Sequence, residues 1–295
     1  MKTRKRLIAL FLLPATLLYL AFFIIPAVWA LYFSFFDWSG FGKAMDFIGL
    51  KNYTELFKDP LFLLSLQNTL VILVVGGIVV FALAFLLTVL VNSGVKWKKF
   101  FRAMIFLPNV IATIALTTLW AFIYNPSFGV FNSFFRVIGW EAGATFMFTS
   151  RTHIFYAMLA ALIWIEVGFF LVLLMAGMDK IPLEYYESAK MEGASQWQMF
   201  KGITLPLLWD VISVGTVLWS IFALKVFEFP YAFSQIDPPP TIYTVGIYLY
   251  IMGFGKRVPI YRLGYATAIG VLLLLSVILI VFILRRLMRR EVVQY

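Results

Sequence analysis

Residue types able to do covalent chemistry are sparse in this chain. Cysteine is absent and His153 is the single histidine. Thiol nucleophiles, iron–sulfur clusters, Cys-based zinc sites and disulfides are excluded, and a His-centred metal site or a Ser-His-Asp triad would have to use His153. No Gly-x-x-x-x-Gly-Lys-Ser/Thr phosphate loop occurs. The remaining candidates are polar side chains inside apolar runs. Glu166 has Trp164 two residues before it, Lys225 and Glu228 stand at i,i+3, and Tyr231 follows beside Pro230. A carboxylate can accept from a solute hydroxyl and an indole can stack on a sugar ring, which is binding chemistry rather than bond breaking. An intramembrane enzyme would need paired acids or a His-centred site, and Glu166 alone makes neither.

Composition dictates the elements that hold these residues. The chain has 295 residues, 63% hydrophobic and 13% charged, with mean hydropathy +0.94. Soluble domains are about 45–50% apolar and about 25% charged. At this size folding buries only roughly three-quarters of the chain's surface, so a water-soluble fold could not hide so much apolar area. A polytopic, all-α membrane protein is expected. A span needs roughly 20 apolar residues, and six windows qualify: 7–36, 69–91, 103–124, 154–177, 207–232 and 264–284. They lack alternating polarity and are too long for membrane strands. The first exceeds a signal-peptide apolar core and reads as a retained helix kinked by Pro14 and Pro26. No linker separates a second domain, so 1–295 is expected to form one transmembrane domain.

Charge orients the spans. The net charge is +10. In a chain this apolar, such an excess points to basic cytoplasmic loops rather than nucleic acid. Fifteen Lys and Arg lie in the N-terminus, the 94–102 and 178–206 loops and the C-terminal tail, against eight in the opposite loops. Both termini are therefore expected in the cytoplasm. Glu166 then lies about 18 Å into the fourth span, where a carboxylate costs roughly 2.5–3.5 kcal/mol. It either accepts from solute or is a structural or protonated core Glu. Trp164 is either a stacking platform or a packing residue. Lys225 and Glu228 fall on one face near the outer interface, as an ion pair or as a vestibule lining, with Tyr231 a weaker candidate.

The 181–206 loop is long for a connector and has helical patterning. Pro182 suits a helix start, and Glu184 and Glu187 suit its first turn. Gly193 suits a tight turn with positive φ, and Ser195 suits the N-cap of a second helix. Trp197, Phe200 and Ile203 share a face of that helix, and Pro206 closes the loop. The result is a helix-turn-helix knob suited to docking. Glu192 beside the turn is exposed, either solvated or facing a basic partner residue.

Glu187-Ser188-Ala189, followed at fixed spacing by Gly193, Ile203, Leu205 and Pro206, resembles the "EAA" loop of ABC importer permeases, with Ser188 where Ala is usual. Phe47-Ile48-Gly49 with Asn52-Tyr53, Asn68-Thr69, Phe101-Arg102 with Leu107-Pro108, Asn125-Pro126 with Gly129 and Asn132, and Gly264-Tyr265-Ala266 are similar to sugar permeases of the maltose-transporter type. Residues 233–240 replace a Gly-rich segment that many of these permeases carry. The resemblance implies a six-helix, MetI-like permease fold whose 181–206 loop couples to a separate ATPase dimer. That dimer would hold ATP and magnesium, and this chain no cofactor or metal. It further implies a second permease, giving a heterodimer, and an extracytoplasmic binding protein delivering a sugar, oligosaccharide or polyol in a bacterial or archaeal inner membrane. An amino acid or phosphate permease is the alternative. A secondary transporter would need internal repeats, and none is visible.

Overall fold

A computed structural model describes residues 2–42, 44–92, 96–235, 237–256 and 258–288, with side chains from Leu10 onward. Lys43, Arg257, Arg289 and Arg290, and the side chains of Lys2, Arg4, Lys5 and Arg6, all counted in the charge bias, lie outside the described residues. Four helices are long and apolar enough to cross a membrane: Leu10–Phe33, Pro60–Asn92, Ile154–Met178 and Leu263–Leu287. Two pairs qualify only as bent spans: Lys98–Val110 with Thr113–Ile123, at 103°, and Gln196–Leu207 with Trp209–Lys225, at 66°. The chain is thus a multi-pass membrane protein with four to six spans.

Two of the expected continuous helices are broken. The window 103–124 is interrupted by a 3-10 turn, Leu107–Val110, after which Ile111 and Ala112 are extended. Pro108 starts that turn, because it cannot donate to the preceding helix. The window 207–232 stops as a helix at Lys225. Val226 is extended, and a separate short helix, Glu228–Phe233, follows. Lys225 and Glu228 therefore do not share one helical face as the i,i+3 spacing predicts. Thr244 holds the break by donating from Oγ1 to the Val226 carbonyl at 2.8 Å. One apolar helix, Val245–Phe254, was not expected at all.

The chain divides into two compact units. The first comprises Met1–Leu63 and Tyr248–Leu275. After its first span come an antiparallel hairpin, Phe36–Trp38 with Met45–Phe47, and a short helix, Lys51–Leu56. Asn52 Nδ2 donates to the carbonyls of Ser34 and Phe36 at 2.9 and 3.0 Å. Gly264 starts the last span directly against the Phe36 carbonyl, where any Cβ would overlap it. Asp59 caps the helix from Pro60, accepting from the backbone N–H of Leu61 at 2.9 Å. It also accepts from the hydroxyls of Tyr248 and Tyr265, both buried. Glu55 pairs with Arg262 at 2.8 Å, and Arg262 lies over the Tyr265 ring.

Burial raises the Asp59 carboxyl, but the hydrogen bonds from Tyr248, Tyr265, Leu61 and Phe62 outweigh it and hold the pKa below the ordinary 3.8. A depressed carboxyl stabilises the fold above its unfolded pKa and loses that contribution as pH falls through the folded value. The thermal midpoint of the wild-type chain in detergent should therefore exceed that of Asp59→Asn at neutral pH. The gap should narrow only below 3.8. A gap that stays constant through that range would show that the charge of Asp59 does not carry the effect.

The second unit comprises Leu64–Ile247 and Ser276–Tyr295. Helix Ile154–Met178 is its centre, and 61% of its apolar window is buried. Helix Pro60–Asn92 contains a π-turn at Ile72–Gly76. Such turns leave a main-chain carbonyl without its helical donor. Trp219 fills this gap, donating from Nε1 to the Leu73 carbonyl at 2.8 Å, with its ring over Gly76 and Gly77. Gly168 rests directly on the Ile105 carbonyl.

Candidate functional site

The 181–206 segment forms two short helices around a tight turn. Helix Leu183–Met191 has Pro182 as its N-cap rather than its first residue. It ends in a Schellman motif. The N–H of Gly193 bonds to the Lys190 carbonyl at 3.0 Å and that of Ala194 to the Ala189 carbonyl at 2.9 Å. Gly193 has φ +80°, a conformation that costs a residue with Cβ but not glycine. Ser195 then caps the next helix in a reciprocal box with Gln198. That helix runs on through a π-turn, Phe200–Thr204, to Leu207. Tyr186 and Thr204 hydroxyls meet at 2.9 Å and tie the two helices together.

No residue of helix Leu183–Met191 is buried. Glu187, Ser188, Glu192, Gly193 and Pro206 are exposed, and Ala189, Ile203 and Leu205 are half-buried. Met191 is 90% exposed and Trp197 70%. Trp197 stacks on Phe200, but the residues turned inward are Met199 and Thr204. Of the expected Trp197, Phe200 and Ile203 face only Trp197 is exposed; Phe200 and Ile203 are half-buried, and Phe200 also meets Phe85 edge-on.

A cavity of about 510 Å³ lies in the second unit. Glu166, Lys225 and Glu228 line it together with Asn109, Thr113 and Phe227. Lys225 and Glu228 are exposed and Glu166 is half-buried. Among the described residues no ion pair joins Lys225 to Glu228 or to Glu166. Both broken helices open onto this cavity. Asn109, in the first break, donates to the Ile165 carbonyl at 2.6 Å, beside Glu166. Irregular backbone at membrane depth is tolerated where it lines a cavity. Trp164 is not in the lining and meets Trp120 edge-on at 5.6 Å. Tyr231 is also outside it and stacks on Phe227. His153 accepts or donates at 2.8 Å to Ser150 at the start of the helix, away from the cavity. Asn109 and Phe227 were not singled out from sequence. A polar residue just after Leu107-Pro108 was the available signal for the first, and nothing distinguished the second among 32 Phe.

Many of the other motif residues act as polar staples. Asn68 Nδ2 donates to the Thr241 and Tyr243 carbonyls at 3.0 and 2.9 Å, and Thr69 Oγ1 accepts from the Val245 N–H. Asn125 accepts from the N–H of Ser127. Asn132 donates to the carbonyls of Ala144 and Phe146, both at 3.0 Å. Those of Asn68, Thr69 and Asn132 satisfy buried or part-buried backbone that would otherwise be left unpaired.

The family described as binding-protein-dependent transport system inner membrane component matches residues 80–294. The chain belongs to this family. Among its relatives, the "Probable ABC transporter permease protein" of Pyrococcus horikoshii is 32% identical over 93% of this chain and 92% of its own. The diacetylchitobiose uptake system permease protein NgcF of Streptomyces coelicolor is 29% identical over 87% of this chain and 74% of its own. A solved bacterial ABC transporter involved in import of the acidic polysaccharide alginate contains a chain with TM-score 0.83 and 26% identity. It covers 98% of this chain and 97% of that one. A bacterial alginate ABC transporter solved in complex with an alginate pentasaccharide-bound periplasmic protein contains a chain equally similar, with TM-score 0.83 and 26% identity over 98% of this chain and 96% of that one. The binding-protein-dependent permease fold thus extends over nearly all of this chain.

Proposed function

We propose that residues 1–295 act as one permease domain of an ATP-driven importer for a sugar, oligosaccharide or related polyol. Six spans, counting both bent pairs, carry it across a bacterial or archaeal cell membrane with both termini in the cytoplasm. The observation that carries this reading is family membership joined to near full-length likeness to permeases of oligosaccharide importers. The chain works with a second, non-identical permease and receives solute from an extracytoplasmic binding protein. An ATPase dimer binding ATP and magnesium supplies the energy. The 181–206 knob is its dock, and Glu187, Ser188, Ala189, Glu192, Gly193, Ile203, Leu205 and Pro206 form or brace it. The exposed apolar residues there support this reading, since surface of that kind marks interaction sites. The cavity at Glu166, Lys225 and Glu228 is this chain's share of the solute path.

The test is uptake of labelled oligosaccharide into sealed proteoliposomes. The complete set of subunits should accumulate solute only with ATP and with this chain present. The chain alone should neither hydrolyse ATP nor concentrate solute, and either activity in the isolated chain would overturn the assignment.

Glu166 provides a second test. A carboxylate inside a span costs roughly 2.5–3.5 kcal/mol on insertion scales, and Glu166 has no ion pair among the described residues. Glu166→Gln is expected to lower uptake while leaving membrane levels normal, and Glu166→Leu to raise thermal stability while also lowering uptake. Unchanged uptake in both would remove Glu166 from the solute path.

A further inference from the structure

We propose that helix Lys98–Phe106 and the two residues before it bind the headgroup of an anionic phospholipid. The helix is the first half of a bent span, and its basic end lies at the Asp179 end of helix Ile154–Met178. Four cations crowd its first turns: Lys96, Lys98, Lys99 and Arg102. Lys98 alone has a carboxylate, Asp179 at 3.4 Å. Among the described residues, Lys96, Lys99 and Arg102 have none. Cations at a helix N-terminus also oppose the helix dipole. Within this chain the arrangement is electrostatically unfavourable, and an anion from outside would relieve it.

The apolar side chains around these cations point to the source of that anion. Lys98, Arg102, Ile105 and Phe106 are half-buried, whereas Lys99, Phe100, Phe101 and Met104 face outward. Trp97 is 75% exposed, Phe100 52% and Met104 51%. Trp97 has φ 75°, a conformation rarely adopted by a bulky residue, and it sends the indole outward. The rings of Trp97, Phe100 and Phe101 follow one another edge to face. Cations bracketed by exposed aromatics match the headgroup level of a bilayer, where Trp anchors and basic residues meet phosphate. A free phosphate ion would use the cations and leave the aromatic face in water. A lipid covers both, with its phosphodiester at Lys96, Lys99 and Arg102 and its acyl chain along Phe100 and Met104. The site is remote from the solute cavity but continuous with it along the chain. The helix leads through Ile105, against Gly168, to Asn109, which is bonded beside Glu166.

The experiment is lipid retention by the purified importer complex, read by native mass spectrometry and by thermal midpoint, with phosphatidylglycerol against phosphatidylcholine. Wild type should retain phosphatidylglycerol preferentially and be stabilised by it. The Lys96→Gln/Lys99→Gln/Arg102→Gln variant should bind it about a hundredfold more weakly while still holding its ATPase. Retention should also fall steeply in wild type from low to high salt, a readout that survives if the variant fails to fold. Equal retention of the two lipids by wild type, undiminished retention by the variant, or equal stabilisation by inorganic phosphate would each overturn the proposal. Loss of ATPase with lipid retention intact would overturn it in favour of a protein-docking surface.

Discussion

Gly193→Val should leave the chain at normal levels in the membrane and uncouple ATP hydrolysis from uptake. The turn needs φ +80° at this position, and a β-branched residue held there costs of order 1–3 kcal/mol. An added Cβ would touch nothing within 4 Å, so the whole cost falls on the backbone of the turn. The Schellman bonds from Gly193 and Ala194 to Lys190 and Ala189 are what that strain would break. A bias of this size changes the population of the formed knob by roughly 5–150-fold. The spans do not depend on the turn, so insertion survives. Co-purified ATPase should fall in parallel with uptake, and Gly193→Ala should show a smaller loss. Glu192→Lys should act in the same direction more mildly, with rescue by a reversed charge on the ATPase. Full ATPase retention with full uptake in Gly193→Val would show that the knob is not the coupling element.

Gly168→Val should instead fail at the level of the fold. A Cβ at Gly168 would overlap the Ile105 carbonyl and crowd the backbone of Phe106. No rotamer change relieves a contact with main chain. The substitution therefore belongs at the upper end of overpacking costs, about 3 kcal/mol or more. Pushing Ile105 away would also pull Asn109 from the Ile165 carbonyl and collapse one wall of the cavity. Membrane levels and thermal midpoint should both drop sharply. Normal levels with a normal midpoint would mean that the helices do not approach as described.

The contrast between these glycines shows what sequence could and could not convey. Gly193 was legible because a turn glycine, a preceding acidic helix and a following Ser cap form a local pattern, and local hydrogen bonds decide it. Gly168 was not, because its reason is a helix more than sixty residues away in the chain. The spans were legible as apolar runs, but their breaks were not. Hydropathy averaged over a whole span smooths over Pro108-Asn109 and Lys225, so it does not show where the helix stops. For the same reason Lys225 and Glu228 were assigned one helical face. Glu166 was conspicuous as a carboxylate in an apolar run. Its neighbours in the cavity, Asn109 and Phe227, come from other elements; a polar residue just after Leu107-Pro108 was a local signal for the first, and Phe227 carries none among 32 Phe.

The absence of cysteine makes the most direct measurement a clean one. Met191→Cys places a single thiol at the tip of the knob, on the last residue of its first helix and 90% exposed. In inverted membrane vesicles holding the assembled importer, a short bifunctional thiol–amine reagent should join this residue to the ATPase, and addition of ATP should change the yield. Ser39→Cys, in the loop of the hairpin that the proposed orientation places outside the cell, should give no such product. A cross-link from Ser39→Cys to the ATPase, with none from Met191→Cys, would contradict both the orientation of the chain and the assignment of 181–206 as the site through which hydrolysis drives transport.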